Sequence, residues 1–142
     1  MPLSPELLAS YKNADYVVFG HQRGSPELVI RIDRVNPALE ELLVHHEAST
    51  AAFVSACNPR GEKKTYEENE AAAAALRRSP LLIGYTWFRG EGRDPDANWP
   101  SEPSLLIIGI PRKEAERLGS ALNQNAIVFI EKGGKPELIL LE

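Results

Sequence analysis

The chain of 142 residues carries a formal net charge of −4, one cysteine, and 43% hydrophobic and 25% charged residues, which together predict a single soluble globular domain over residues 1–142. Acidic and basic residues are interleaved, which excludes the clustered basic surface of a protein that binds nucleic acid duplexes, and one cysteine excludes an intrachain disulfide. Because no apolar run approaches the roughly 20 residues of a membrane helix, and residues 1–8 lack the features of a signal peptide, we expect a cytoplasmic protein without membrane contact.

The N-terminal third predicts a helix, a hairpin and a second helix. Ser4-Pro5-Glu6 is typical of a helix start, with a hydroxyl cap and a proline at the first helical position. Short apolar strands over 15–19 and 28–32, joined by the glycine-containing link 20–26, predict a hairpin. Asn36-Pro37 repeats the cap-plus-proline start, and the apolar spacing extends that helix to about residue 46.

The rest of the chain predicts strand, helix, strand, strand, helix, strand and a last strand. Thr65 and Glu68 fit a capping box at the start of the first of these helices, and Pro80 ends that helix. A long loop over 89–103 is expected between two strands, and loops of that length are often functional. In chain order, the predicted elements are strand 51–57, helix from 65, strand 81–88, strand 104–110, helix 112–122, strand 126–130 and strand 138–141.

This order predicts an α+β fold, a mainly antiparallel sheet with helices packed on it. The segment 51–131 has the split βαβ order of a ferredoxin-like βαββαβ core, to which the N-terminal helix-hairpin-helix and the C-terminal strand would be added. A different α+β sheet with the same elements is the main alternative.

Three polar sequences stand beside strongly apolar runs. They are Asn58-Pro59 with Glu68-Asn69 downstream, the segment 98–104, and Asn123-Gln124-Asn125. Amides and carboxylates near a core need partners, because leaving them dry and unpaired costs a few kcal/mol each. We therefore expect these side chains to converge on one pocket.

At these positions the chain resembles a bacterial family of small proteins, the domain-of-unknown-function family numbered 3293. The motifs that carry the resemblance are Ala56-Cys-Asn-Pro59, Glu68-Asn69, Trp99-Pro-Ser-Glu-Pro-Ser104 and Leu122-Asn-Gln-Asn-Ala-Ile127. The resemblance covers nearly the whole chain and implies a shared polar site without implying an activity. The positions that it marks are Asn58, Asn69, Trp99, Glu102, Ser104, Gln124 and Asn125. Cys57 and Asn123 depart from the family pattern, which has an aromatic residue and glycine there.

Each of these candidates also has a structural interpretation. Asn58 suits a turn, and Glu68 is explained by the capping box. Trp99 either anchors its loop or offers a stacking surface to a planar ligand. Glu102 either pairs with Arg89 or Arg93 or acts as a general base.

Three amides and one thiol complete the candidates. Asn69 is a poor helix residue and suits ligand recognition near a helix N-terminus. Gln124 and Asn125 are expected at the start of a strand with side chains on opposite faces, which favours Gln124 as the ligand-facing member. Cys57 is expected to be a small buried residue rather than a nucleophile.

No cofactor is predicted, and the sequence contains no convincing metal site. The segment 94–98 imitates a calcium loop, but Trp99 and Leu105 occupy the positions that need glycine and glutamate. His45 and His46 are adjacent and cannot share a helix face. The excess of amides over titratable pairs favours a module that binds a small, polar, planar, nucleotide-like ligand. The alternatives are a hydrolase or transferase with Glu102 as general base, and a protein-interaction domain; the oligomeric state stays open.

Overall fold

The computed structural model describes residues 3–21, 24 and 26–141. The part of the predicted hairpin link formed by Gln22, Arg23 and Ser25 lies outside the described residues. Four α-helices are present in the described part: α1 (Pro5–Asn13), α2 (Pro37–His45), α3 (Tyr66–Arg77) and α4 (Arg112–Ala121). The strands are β1 (Asp15–Val18), β2 (Leu28–Ile30), β3 (Thr50–Ser55), β4 (Thr86–Arg93), β5 (Glu102–Ile108), β6 (Ala126–Glu131) and β7 (Glu137–Leu140).

The seven strands form one sheet in the order β2-β1-β4-β5-β3-β6-β7, and all neighbours are antiparallel. The predicted α+β class with a mainly antiparallel sheet is therefore confirmed. Within the segment predicted to be ferredoxin-like, β5 lies between β4 and β3, and β6 lies on the far side of β3. The N-terminal pair β1–β2 extends the sheet beyond β4, and β7 extends it beyond β6.

The helix starts form as the sequence predicts. The Ser4 hydroxyl accepts a hydrogen bond from the Leu7 amide, and the Asn36 side chain accepts one from the Leu39 amide. Thr65 and Glu68 form the reciprocal capping box of α3. These caps satisfy amide groups that the first turn of a helix leaves without partners, so their side-chain chemistry specifies where each helix begins.

The sheet separates two apolar layers. On one face, α2 packs over buried residues that include Ile30, Ala51, Leu106 and Ile130. On the other face, α3 and α4 cover Val54, Ile107 and Phe129. We call the face that carries Phe53 and Leu106 the first face. Strands β3, β5 and β6 are buried on both faces, which explains their nearly uninterrupted apolar sequences.

The prediction of a strand over 81–88 and a loop over 89–103 is wrong. Residues Pro80–Leu82 form a short 3-10 helix, capped by the Ser79 side chain, and β4 begins only at Thr86. It then continues through Arg93, so the connection to β5 is only 94–101. The alternating charges and glycines of 89–93 resemble a loop in the sequence. They form a strand because β4 pairs with β1 on one side and β5 on the other.

Candidate functional site

A cavity of about 390 Å³ opens on the first face of the sheet, at the end away from α2. Its floor consists of small residues on neighbouring strands: Gly92 on β4, Ser104 on β5, Ser55 on β3 and Ala126 on β6. Larger side chains, among them Tyr16 and Phe53, also line the cavity. The strands continue under the cavity but carry only small residues there, so a space remains that the core does not fill.

Gly92 contributes most directly to that space. In the sheet register it lies between Tyr16 and Glu102, which are its partners on β1 and β5. With strands spaced about 4.8 Å apart, the α-carbons of Tyr16 and Glu102 are about 10 Å apart, with no side chain between them. A Cβ atom added at Gly92 would have no heavy atom within 4 Å.

Gly90, two residues earlier, has a different role. A Cβ atom there would lie 2.2 Å from the Val17 carbonyl oxygen and 3.1 Å from the Phe53 ring. This glycine therefore permits close packing between β4 and its surroundings. The two glycines look alike in the sequence. Gly90 is required because a side chain there would collide with Val17, whereas Gly92 leaves open space.

Helix α1 and the 94–101 connection cover the cavity. Leu7, Ser10 and Tyr11 of α1 line it from above, and Trp99 of the connection lines it while packing on the core of the first face. The Tyr16 hydroxyl donates a hydrogen bond to the Tyr11 carbonyl oxygen, which joins α1 to the sheet. The Tyr16 and Phe53 rings meet edge to face, with centroids 5.3 Å apart.

Glu102 is the carboxylate that lines this cavity. Asn58 donates a hydrogen bond from Nδ2 to Glu102 Oε1 at 2.7 Å. The other carboxylate oxygen, Oε2, has no hydrogen-bond partner within the described part of the chain, and it is not among the fully buried side-chain atoms that lack a partner. It therefore keeps some exposure, and because Glu102 lines the cavity, we infer that this oxygen is accessible from there. Of the two interpretations of Glu102, the pairing with Arg89 or Arg93 is not seen among the described residues; Arg93 binds Glu27 and Glu91 instead.

Asn58 is held in turn by Asn69. Asn58 Oδ1 accepts hydrogen bonds from Asn69 Nδ2 at 3.0 Å and from the Lys64 amide at 2.9 Å. Asn69 Oδ1 accepts one from the Asn58 amide at 3.0 Å, so the two residues bind each other twice. Asn58 has the left-handed conformation (φ 45°, ψ 58°), which asparagine tolerates better than most residues. These hydrogen bonds, from Asn69 to Asn58 and from Asn58 to Glu102, orient the carboxylate. Asn69 itself does not line the cavity.

Burial changes the acidity of the groups around the cavity. It raises the pKa of Glu102 above its ordinary value, an effect that the Asn58 hydrogen bond partly opposes. Burial also raises the pKa of Tyr11 and of Tyr16, and the nearby Glu102 carboxylate adds to both shifts. Burial is the main cause that raises the pKa of Cys57 to about 11, so this thiol stays protonated at neutral pH.

Ser104 and Gln124, two of the predicted polar residues, line the cavity, but their side-chain polar hydrogen atoms already donate hydrogen bonds within the protein. Ser104 is 6% exposed and donates its hydroxyl to the Glu102 carbonyl oxygen. Gln124 donates from Nε2 to the Cys57 carbonyl oxygen at 3.1 Å and to that of Leu122 at 3.4 Å. Gln124 Oε1 has no partner among the residues that the structure describes.

Gln124 and Asn125 were expected at the start of a strand, with Gln124 as the member that faces the ligand; Gln124 lines the cavity and Asn125 does not. Both residues precede β6, which begins at Ala126, so the alternation of a strand does not apply to them. Gln124 lines the cavity, and Asn125 donates to the hydroxyl of the cavity-lining Tyr11 at 3.3 Å. Five of the predicted positions line the cavity: Asn58, Trp99, Glu102, Ser104 and Gln124. Asn69 and Asn125 support residues that line it, and Glu68 serves only the helix cap.

The sequence interpretation did not include Tyr11, Tyr16 and Gly92 in the site. The alternating glycines at 90 and 92 were a usable signal, because glycines inside a strand often mark a close approach or a space for a ligand. That signal depends on recognising β4 as a strand. The tyrosines carry no such local sign, since their positions facing the cavity follow from how α1 and β1 lie against β4 and β5.

No group of three or more histidine, cysteine, aspartate or glutamate side chains among the described residues is arranged to hold a metal ion. None of the helices in the described ranges combines the length and apolar character needed to cross a membrane.

Comparison with known proteins adds one match. The profile of the family described as "Protein of unknown function (DUF3293)" matches residues 54–127, slightly more than half of the chain. The matched region contains Asn58, Asn69, Glu102 and Gln124. No curated protein and no solved structure matches the chain.

Proposed function

The chain belongs to the family "Protein of unknown function (DUF3293)", and we propose that it binds a small planar nitrogen compound in the cavity between α1 and the sheet. The ligand has the size and character of a nucleobase. It donates a hydrogen bond to Glu102 and places its apolar faces against aromatic side chains.

The observation that carries this proposal is the state of Glu102. One of its oxygens is bound by Asn58, which two hydrogen bonds with Asn69 hold in place, and the other is accessible from a largely apolar cavity. Burying a carboxylate is costly unless hydrogen bonds compensate for the lost water. A ligand that donates to Oε2 supplies such a bond.

The aromatic side chains that line the cavity can pack against the faces of a flat molecule. Tyr16, Phe53 and Trp99 line the cavity, and the gap at Gly92 leaves room for a ring between Tyr16 and Glu102. Aromatic faces bind planar ligands through stacking or edge contacts. Lys63, on the exposed rim, is the one cationic side chain that lines the described cavity. The proposal is therefore limited to the base-like part of a nucleotide and does not extend to its phosphates.

The test is a thermal-shift panel of purines, pyrimidines, aminopyridines and indoles with the full chain. A ligand at 100 times its Kd stabilises the folded state by about 2.7 kcal/mol, which shifts the melting temperature by several degrees. In a Trp87→Phe background, Trp99 is the remaining tryptophan, and its fluorescence should change with the same ligand.

Matched variants locate the binding site. Gly92→Leu should abolish the shift, because the added side chain occupies open space in the cavity. Val29→Leu adds bulk at an exposed position on β2, away from the cavity, and should leave the shift intact. Absence of any shift across the panel, with unchanged Trp99 fluorescence, would refute the proposal.

A second candidate is an enzyme in which Glu102 accepts a proton from water or from a substrate hydroxyl. The accessible Oε2 and the raised pKa of Glu102 favour this role. Covalent catalysis has less support, because Ser55 and Ser104 donate their hydroxyls to backbone carbonyls and Cys57 stays protonated. Glu102→Gln should abolish any hydrolysis or group transfer detected on chromogenic esters and phosphates. Full activity in that variant would exclude this role.

The protein-interaction alternative, through the loop or an edge strand, stays a prediction with less support, because Trp99 and Gln124 line the same cavity instead of lying far apart. We also propose that 51–131 is a ferredoxin-like unit, since β5 fills the gap between β3 and β4 as the split βαβ order requires. The bacterial origin, the cytoplasmic location and the single-domain assignment stay predictions.

A further inference from the structure

We infer that the ligand of this cavity is an organic cation with N–H donors, such as an amidinium or a protonated aminoheterocycle. This inference rests on the proposed function and specifies the chemical class of its ligand. It follows from which polar atoms around the cavity are already bound and which are left for a ligand.

Apart from that of Tyr11, the hydroxyl groups on the floor and walls have committed their hydrogen atoms to backbone carbonyls. Ser55 donates to Pro103, Ser104 to Glu102, Tyr16 to Tyr11 and Ser10 to Glu6. The side-chain amide of Gln124 is committed to two carbonyl oxygens in the same way. A hydroxyl that has donated its hydrogen atom can only accept from a ligand.

The atoms left over in the interior of the cavity are therefore mostly acceptors. Glu102 Oε2 and Gln124 Oε1 have no partners among the described residues, and the Ser104 oxygen retains its lone pairs. The hydroxyl hydrogen of Tyr11, which accepts from Asn125, and the second Nδ2 hydrogen of Asn58 are the donors that remain beside them in the interior. The exposed side chains of Asn98 and Lys63 add donors at the rim. A ligand with several N–H groups satisfies such a set, whereas one rich in acceptor oxygens would leave it unsatisfied.

Charge points in the same direction. Glu102 is the acidic side chain that lines the described cavity, and the only cation, Lys63, lies at the exposed rim where water screens it. A cationic ligand neutralises the carboxylate, and a charged pair makes stronger hydrogen bonds than a neutral pair. An anionic ligand would place two like charges together in a site of low polarity.

The aromatic lining also favours a cation. Tyr11, Tyr16, Phe53 and Trp99 all line the cavity that holds Glu102. Aromatic faces attract cations through their quadrupole, most strongly where water is excluded. A carboxylate together with four aromatic side chains is a combination that recognises a flat or compact organic cation.

Isothermal titration of the full chain with four probes of similar size tests the inference. Benzamidine is a planar cation with N–H donors, benzamide is its neutral counterpart, benzoate is an anion, and phenyltrimethylammonium is a cation without N–H groups. We expect benzamidine to bind at least 10-fold more tightly than benzamide and benzoate, and more tightly than phenyltrimethylammonium. This comparison needs no variant, so it does not depend on whether a variant folds.

The variant Glu102→Gln then tests whether the negative charge of Glu102 contributes to the affinity for benzamidine. The glutamine can still accept from Asn58, so the fold should persist, while benzamidine affinity should fall at least 10-fold and benzamide affinity should change by less than about 3-fold. Glu41→Gln, at an exposed position on α2, should bind all probes as the unmodified chain does.

The other outcomes are distinguishable. If benzamide or benzoate binds as tightly as benzamidine, or if Glu102→Gln leaves benzamidine affinity unchanged, the ligand class is wrong. In that case, neutral heterocycles that lose binding in Gly92→Leu would leave the proposed function standing. If neither these probes nor any heterocycle of the wider panel binds, both proposals fall.

Discussion

At the scale of single residues, Asn58 joins two parts of the chain that are distant in sequence. Its side chain binds Asn69 and the Lys64 amide on one side and Glu102 on the other, and its backbone has a left-handed conformation. The sequence suggested a turn at this position but could not reveal the bond to Glu102. Glu102 lies 44 residues further along the chain, and local patterns carry no information about contacts at that separation.

Substitutions at Asn58 should separate the contribution of its side-chain hydrogen bonds from that of its left-handed backbone conformation. Asn58→Ala is expected to lower the free energy of unfolding by about 2–4 kcal/mol, because it removes three side-chain hydrogen bonds and leaves alanine in a left-handed conformation. Asn58→Gly loses the same bonds without the conformational strain and should cost about 1 kcal/mol less. Urea denaturation measures both values; equal losses in the two variants would contradict the strain component.

The buried carboxylate of Glu102 should make stability depend on pH. Its pKa is raised in the folded state above the ordinary value of 4.5, mainly by burial. The folded state therefore holds the proton more tightly than the unfolded state. The resulting stability is fully present below the unfolded-state pKa and is lost as the pH rises through the folded-state pKa.

Urea denaturation from pH 4 upward should show this loss as a difference between the unmodified chain and Glu102→Gln. As the pH rises above about 4.5, the free energy of unfolding of Glu102→Gln should increase relative to that of the unmodified chain. Glu41→Gln, at an exposed position, is the control and should follow the unmodified chain. A gap that stays constant with pH would show that Glu102 has the same pKa in both states.

At the scale of elements, β4 shows how a strand can be concealed in sequence. Its last five residues, Arg89 to Arg93, alternate charged residues and glycines. Backbone hydrogen bonds to β1 and β5 stabilise it, and those bonds use main-chain groups that each of these residues supplies. The helices were easier to predict because their caps are local: Ser4, Asn36 and Thr65 each bind an amide three residues away.

The two glycines of β4 should differ in their tolerance of alanine. Gly90→Ala is expected to lower the free energy of unfolding by about 3 kcal/mol or to prevent folding, because the new methyl group would collide with the Val17 carbonyl oxygen. Gly92→Ala should change it by less than about 1 kcal/mol, since the added atom meets open space. Comparing the thermal melts of the pair checks this, and a similar loss in both variants would contradict the distinction.

Helix α1 should open more readily than α4, although the two have similar lengths of 9 and 10 residues. No residue of α1 is buried, whereas Ala115, Leu118 and Gly119 of α4 are. Opening of α1 would expose the cavity beneath it. We expect amide hydrogens of α1 to exchange at least 10-fold faster than those of α4, measured by NMR-detected hydrogen exchange. Equal protection of the two helices would show that α1 is as firmly attached as α4.

At the scale of the whole molecule, the matched family region and the folded unit do not coincide. Residues 54–127 contain β4, β5, α3 and α4 complete. They omit β1, β2, β7 and most of β3 and β6. Strand β3 lies between β5 and β6 in the sheet, so without it the two halves of the sheet lose their connection.

A fragment of residues 54–127 should therefore not fold alone. Its two complete strands and two helices cannot bury both apolar faces of the sheet. We expect weak secondary structure by circular dichroism and poorly dispersed amide signals by NMR, whereas the full chain should unfold cooperatively. Cooperative unfolding of the fragment would show that the outer strands are dispensable.

The sequence by itself determined the fold class, the helix boundaries and the group of polar residues from which the cavity takes five of its members. Those features depend on local chemistry: caps, apolar periodicity and polar residues beside apolar runs. Only the tertiary structure decided that Glu102 is held by Asn58 instead of an arginine, that Asn69 and Asn125 serve as supports, and that Gly92 leaves a gap beside Tyr16. These features depend on the register between strands that are distant in the chain, and residue spacing in the sequence does not encode that register.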